Sequence, residues 1–299
     1  MKVFFHHDKP FGFLRIFGED AEDYLQSQVT VNVRKLTPGC VNFALRLNSK
    51  GKVFAGFYLL REEEESFIAL SRTCSSANLK KLLNENIVAD DVEFEFLEDS
   101  WDLITTKGED IETLHDSIGL PLPSSGKFSS NQSYWTLQDD RLGEEIYSIL
   151  SQSDTKEKNP WKNGTAVEWA YFDKERILSG LVEIPKEIGP EDLPQEGNLE
   201  SKYVDFNKGC YLGQEVMARI FAMGRVRKKI QVVKCPKIDC PDLPLDLLLE
   251  EKVVGSLRSL TPFDDKLIGF ALVHEKGIDQ LNTKGLDIYG LQNQRITLL

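Results

Sequence analysis

Hydrophobic positions recur along the chain with two periods, one of two residues and one near 3.6, and these divide it into strands and helices. Residues 11–17 are rich in β-formers and read as a strand ended by Gly18. Glu19, Asp20, Glu22 and Asp23 follow at once, and acids in a first turn favour a helix start. Ala21, Tyr24, Leu25 and Gln28 then share one helical face. Residues 41–47 and 52–60 read as strands joined by the turn Asn48-Ser49-Lys50-Gly51. A second turn at 61–65, whose consecutive glutamates form a solvated tip, leads into a strand at 67–70 and completes an antiparallel meander. Leu79, Leu82 and Leu83 mark a helix, and 92–96 alternates as a strand. Another strand at 101–105 precedes a helix carrying Ile111, Leu114 and Ile118, which Gly119 stops. After a Pro/Ser/Gly loop at 121–132, strands near 134–137 and 145–150 lead to the polar stretch 151–159, the first clear linker.

Beyond the linker, Thr165 and Glu168 match a capping box and predict a helix from there to about Ser179, ended by Gly180. Residues 181–209 are loop-rich, and a short helix is predicted over 214–221. From 226 onward, short strands at 226–233, 253–257, 267–273, 286–289 and 295–298 predict an all-β closing module that begins between Met223 and Lys229. The class is therefore α+β, with meanders and helices first and a β-module last.

Composition narrows the function. The chain carries 36 Lys and Arg against 48 Asp and Glu, a net charge of −12. That argues against coating nucleic acid or an anionic membrane by bulk charge. The longest apolar run, 53–60, is far too short to cross a bilayer, and no secretory or transit segment is read at the start. Five cysteines, an odd number, suit a reducing compartment, and a cytoplasmic protein is expected. Cys235 and Cys240 lack zinc-knuckle spacing, and His6, His7, His115 and His274 form no array, so no metal site is expected. Hydrolase, P-loop and dinucleotide signatures are absent.

The strongest local signal is Lys208-Gly209-Cys210-Tyr211-Leu212-Gly213-Gln214-Glu215. Two glycines frame a cysteine on a loop just before a helix. A thiol near a helix N-terminus and next to a lysine feels positive potential, which favours thiolate. The alternative is a small buried hydrophobe. Downstream, Arg219, Arg225, Arg227, Lys228 and Lys229 form an acid-free cationic run, suited either to an anionic ligand or to a solvated surface strand.

Residues 208–215 resemble the K-G-C-[YF]-x-G-Q-E signature of the YgfZ family, folate-binding relatives of the glycine-cleavage T-protein, an aminomethyltransferase. The segment Pro194-Gln195-Glu196-Gly197-Asn198-Leu199 resembles the family's P-Q-E-A-N-L. Residues 19–33 and the Asn48–Lys52 turn resemble its N-terminal helix and D-x-K-G-K turn. The resemblance implies two α/β modules around a central cleft and a C-terminal β-barrel. One module would be discontinuous, 1–50 with 156–224; the second, 51–155, would be inserted into it; the barrel would be 225–299. It also implies a role in iron–sulfur cluster assembly or repair, and through it in cluster-dependent enzymes such as those of tRNA methylthiolation, with Cys210 as the functional thiol. The implied partners are a reduced folate and iron–sulfur proteins or assembly factors, with no direct contact to nucleic acid or membrane.

Carried over residue by residue, the resemblance places Phe11, Phe172, Glu196, Lys208, Tyr211, Arg219 and Arg225 around tetrahydrofolate or a related reduced folate. Two positions depart from the T-protein pattern. Ala55 and Gly56 stand where it carries carboxylates, so classical aminomethyl transfer lacks its acid. Leu178 stands where relatives have a pterin-binding glutamate, which weakens the expected folate site. An aminomethyltransferase and a binding module with a vestigial pocket remain the alternatives.

Overall fold

The computed structural model describes residues 1–154, 159–238, 242–291 and 294–299. Residues 155–158, inside the expected linker and at the expected 155/156 boundary, lie outside them. Contacts divide the chain into two units: Met1–Asn48, Phe54–Trp169 and Tyr203–Leu212 form the first, and Ser49–Val53, Ala170–Lys202 and Gly213–Leu299 the second.

The first unit holds two sheets. One has six strands in the order Thr165–Ala166 (β11), Val3–Asp8 (β1), Trp101–Gly108 (β7), Tyr147–Gln152 (β10), Tyr134–Gln138 (β9) and Phe128–Ser130 (β8). The other has five: Val41–Leu47 (β3), Val53–Glu63 (β4), Ser66–Ser71 (β5), Gly12–Phe17 (β2) and Glu93–Phe96 (β6). Their alternation explains the layering, because successive side chains on a strand point to opposite faces. Leu14, Ile16, Phe57, Leu59, Phe67 and Ala69 face the helices Ala21–Gln28 (α1) and Ser76–Asn84 (α2), packing on Leu25, Leu79 and Leu83. Their neighbours Phe13, Tyr58, Leu60, Ile68 and Leu70 face the six-stranded sheet and meet Leu103, Trp135, Leu137 and Leu150. On that sheet's far side Ile104 and Ile149 pack on Ile111 and Leu114 of the helix Ile111–Ser117 (α3). Both sheets are thus buried on two faces.

The second unit ends in a barrel. Lys228–Pro236 (β12), Arg295–Leu298 (β18), Leu286–Ile288 (β17), Leu245–Leu249 (β13), Lys252–Leu257 (β14) and Lys266–His274 (β16) pair in sequence, and β16 returns to β12 to close the ring. Thr261–Phe263 (β15) pairs with residues 266–268 of β16, in line with β14 along the same edge. Closure removes the sheet edges, and Val233, Leu247, Leu257, Ala271, Val273, Leu286 and Ile296 fill the interior. The helices Trp169–Leu178 (α4), Glu200–Tyr203 (α5) and Gln214–Met223 (α6) precede it.

Three sequence expectations are corrected. The closing module is not all-β. The helix Glu275–Thr283 (α7) sits between β16 and β17, capped by His274, whose Nδ1 accepts from the Lys276 N–H at 3.2 Å, and its Leu281 enters the barrel core. The expected capping box at Thr165 does not form. Thr165 and Ala166 pair in parallel with Phe4 and Phe5, and the Val167 N–H reaches the Phe5 carbonyl at 2.8 Å, so the helix starts only at Trp169. The turn after β4 is also shorter than expected. The strand runs to Glu63, and Glu62 leaves the solvated tip to accept from Arg15 Nε at 2.9 Å.

Candidate functional site

The segment 203–212 is laced to the end of α1. The Thr30 hydroxyl donates to the Tyr203 carbonyl at 2.6 Å, the Asp205 N–H to the Thr30 carbonyl at 3.0 Å, and the Leu212 N–H to the Ser27 carbonyl at 3.1 Å. Lys208 lies at the centre. Its buried ammonium donates to the carbonyls of Gln26 (2.6 Å), Val29 (2.6 Å) and Val31 (2.7 Å). Three donors thus meet three carbonyls at and just beyond the end of α1; that of Gln26 belongs to the last turn, whose carbonyls have no partner within the helix. Burial pushes the Lys208 ammonium down to about 8. Its Nζ stands 5.2 Å from the centre of the Tyr211 ring, also buried. Burial pushes the Tyr211 phenol up to about 12, and its hydroxyl is without a partner among the described residues.

Between these two inward anchors, Gly209 and Cys210 face solvent. Lysine and tyrosine hold the loop, and the cysteine is carried outside. A Cβ at Gly209 would meet nothing, so the protein leaves the flank of the thiol bare. Four residues on, Gln214 opens α6, preceded by Gly213 at φ 86°. The buried-hydrophobe alternative for Cys210 is therefore set aside. The Lys208 ammonium spends its three hydrogen bonds on backbone carbonyls.

Lys208 and Tyr211 are thus brought together. Phe11, in the first unit, is 55% exposed on the rim of an open cavity of about 510 Å³ lined also by Asp8, Lys9, Arg72 and Glu98. Arg72 beneath it donates to Asp139, Thr105 and Ser148 and stacks on Trp169 at 5.3 Å. In the second unit, Phe172 is fully buried, edge-on to Tyr171. Glu196 is buried and accepts from the Leu193 N–H at 2.7 Å, closing its own turn. Arg219 and Arg225 are exposed, and Arg225 lines an open cavity of about 360 Å³ with Arg227, His274 and Lys276. Leu178 is 45% exposed. Ala55 is buried in the apolar layer beneath α1 and α2, where a carboxylate would be uncompensated, and the Gly56 carbonyl accepts from Ser71.

Sequence reasoning missed Gln195. It is buried, and neither its amide oxygen nor its nitrogen has a partner among the described residues. A buried amide with four unused bonding positions invites a polar ligand. Its place beside Glu196 in the matched motif was the available signal. Cys235 is buried and its thiol is pushed up to about 11, while Cys240 lies outside the described residues. No helix among the described residues is long and apolar enough to cross a membrane.

Comparison with known proteins fixes the class first. The structure superposes on the glycine cleavage system aminomethyltransferase T from Bartonella henselae with a TM-score of 0.82, covering 99% of this chain and 85% of that one at 14% identity. Residues 6–115 match the GCVT N-terminal domain. The fold is that of the aminomethyltransferase T-protein, mixed α/β with a closed barrel at its end. Within that class the chain is similar to proteins named YgfZ and IBA57. It is 26% identical over 281 residues to the tRNA-modifying protein YgfZ of Vibrio atlanticus, covering 89% of this chain and 83% of that protein. It is 28% identical over 247 residues to the mitochondrial iron-sulfur cluster assembly factor IBA57 homolog of Aspergillus oryzae, covering 75% of this chain but only 55% of the fungal protein. The family resemblance and the fold read from the sequence are both borne out.

Proposed function

We propose that this protein supports the assembly or repair of iron–sulfur clusters, and thereby cluster-dependent enzymes such as those of tRNA methylthiolation, with Cys210 as its working thiol. The observation that carries this reading is the presentation of Cys210: an exposed thiol on a loop pinned at both ends by buried Lys208 and Tyr211. Such a loop offers sulfur to a protein or cluster docking from outside without itself unfolding. The partners are iron–sulfur proteins or assembly factors. The free state of the four described cysteines suits a reducing compartment, the cytoplasm.

A reduced folate is the ligand we assign to the fold. The residues fit it in part. Gln195 offers a buried, unpaired donor and acceptor to the amide edge of a pterin. Arg219 and Arg225 suit the carboxylates of the glutamate tail. Phe172 and Glu196, already engaged inside the protein, contribute through packing and turn shape. The three-part division 1–50 with 156–224, 51–155, and 225–299 belongs to the same proposal.

The test is complementation in cells lacking the endogenous protein. Wild type should restore the activity of a cluster-dependent enzyme. Cys210→Ser should not, while its unfolding free energy stays within about 1 kcal/mol, since changes at exposed sites rarely cost more. Full rescue by Cys210→Ser would overturn the assignment. Anaerobic titration with tetrahydrofolate tests the ligand separately.

A further inference from the structure

Two turns of the same construction face each other in the first unit. Thr37-Pro38-Gly39-Cys40 closes with the Cys40 N–H donating to the Thr37 carbonyl at 2.9 Å, with Gly39 at φ +85°. Ser124-Ser125-Gly126-Lys127 closes with the Lys127 N–H on the Ser124 carbonyl at 3.0 Å, with Gly126 at φ +76°. A positive φ at the third residue is the type II requirement, and Pro38 presets the second. The turns then pair. The Val41 N–H donates to the Gly126 carbonyl at 2.9 Å, and the Phe128 N–H to the Gly39 carbonyl at 3.1 Å. Cys40 and Lys127 are therefore directly opposed in an antiparallel bridge, at the kind of position where backbone bonds flank the pair and side chains stand closest.

Those side chains meet. Lys127 Nζ lies 2.9 Å from Cys40 Sγ, and Thr37 Oγ1 lies 3.1 Å from the same sulfur. Cys40 is partly exposed and Lys127 exposed, so a small solute reaches both. Burial alone would raise the Cys40 thiol, but the hydrogen bonds from Lys127 and Thr37 outweigh it and hold the thiol below its ordinary value. The buried Cys74 and Cys235 are both pushed up to about 11.

We propose that Cys40 and Lys127 form a peroxide-driven redox site that closes a sulfenamide cross-link between their two strands. In the first step the Cys40 thiolate attacks one oxygen of hydrogen peroxide. An S–O bond forms, the O–O bond breaks, and the departing hydroxide takes a proton from the Lys127 ammonium and leaves as water. Sulfur loses two electrons and the peroxide gains them. In the second step the neutral Lys127 amine attacks the sulfenic sulfur. An N–S bond forms, the S–O bond breaks, and the hydroxyl leaves as water with one amine proton. Thiol, amine and one peroxide thus yield the N–S link and two waters. Two equivalents of a thiol reductant reverse it, restoring thiol and amine and forming their own disulfide. The opposed positions make the closure local, with no movement of either sheet required.

The test treats the full-length protein with hydrogen peroxide and digests it for mass spectrometry. The expected product is the Cys40 peptide joined to the Lys127 peptide, about 2 Da below their sum, present also in a Cys210→Ser background and lost on reduction. Lys127→Arg keeps a cation but offers no amine, so it should give a dimedone-trapped Cys40 sulfenic acid and no joined peptide. Lys127→Met should slow Cys40 oxidation by roughly 3- to 10-fold through a smaller thiolate fraction. A wild-type protein whose Cys40 is trapped by dimedone without any joined peptide, or a Lys127→Met variant that oxidises at the wild-type rate, would overturn the proposal.

Discussion

Replacing Lys208 by methionine tests whether the motif lysine is an anchor or a chemical group. Methionine keeps the length of the side chain and removes the ammonium. Three charge-assisted hydrogen bonds to the carbonyls of residues 26, 29 and 31 disappear, each worth about 1.5–3 kcal/mol. The contact with the Tyr211 ring, about 1 kcal/mol, goes with them. Against this, the folded state no longer carries a desolvated ammonium, which returns several kcal/mol. The balance is a loss of about 3 kcal/mol, comparable to removal of one partner from a buried ion pair. At about 2–4 °C per kcal/mol for a unit of this size, the melting temperature should fall by roughly 6–12 °C. Urea unfolding followed by tryptophan fluorescence gives the free energy, because Trp101 and Trp135 both lie in the first unit's core. Lys208→Arg should recover only part of the loss, since a planar guanidinium does not match a tripod of carbonyls. A Lys208→Met protein as stable as wild type, yet unable to support cluster enzymes, would refute the anchoring argument and place the lysine in the chemistry.

Burial holds the Glu183 carboxyl above its ordinary value of 4.5, against the opposing charges of Arg176 and Lys186. The folded chain therefore binds that proton more tightly than the unfolded chain. Its contribution is complete below pH 4.5 and is lost as pH rises through the folded value. Glu183→Gln should accordingly gain stability over wild type as pH rises from 4 to 7, read as a widening gap in melting temperature; a gap independent of pH would contradict the sign. In the barrel, a Cβ at Gly269 would stand 1.8 Å from the Ser259 carbonyl oxygen, so Gly269→Ala should cost about 1–3 kcal/mol in denaturant unfolding. If a reduced folate binds as proposed, Leu178→Glu should tighten it by at most about 1.5–3 kcal/mol, and added salt should weaken it, both measurable by anaerobic titration.

Much of the fold was legible before any coordinates. Strand alternation and helical spacing are local, so the meander, α2, α3, α6 and most barrel strands follow from windows of about ten residues. The signature 208–215 likewise announced an exposed thiol before a helix, because glycines and an N-terminal helical run act within a few residues. Local reasoning failed where a distant partner competed. Thr165 and Glu168 have the grammar of a helix start, but β1, some 160 residues earlier, offers its open edge to Thr165 and Ala166. The short α7 was lost among strands because nine residues supply barely two turns of periodicity.

The site divides in the same way. The sequence by itself determined which residues could carry chemistry: the cysteine, its glycine frame and the absence of a carboxylate at Ala55 and Gly56. Only the tertiary structure decided which way the polar groups are turned. Lys208 is close to Cys210 in the chain, yet its charge goes to carbonyls some 180 residues away, because three backbone acceptors converge on its ammonium at and just beyond the end of α1. Cys40 and Lys127 gave no shared signal, since they lie 87 positions apart and meet only because two glycine turns pair across the fold. A hydrogen bond depends on distance and direction in space, and over such separations the order of residues records neither.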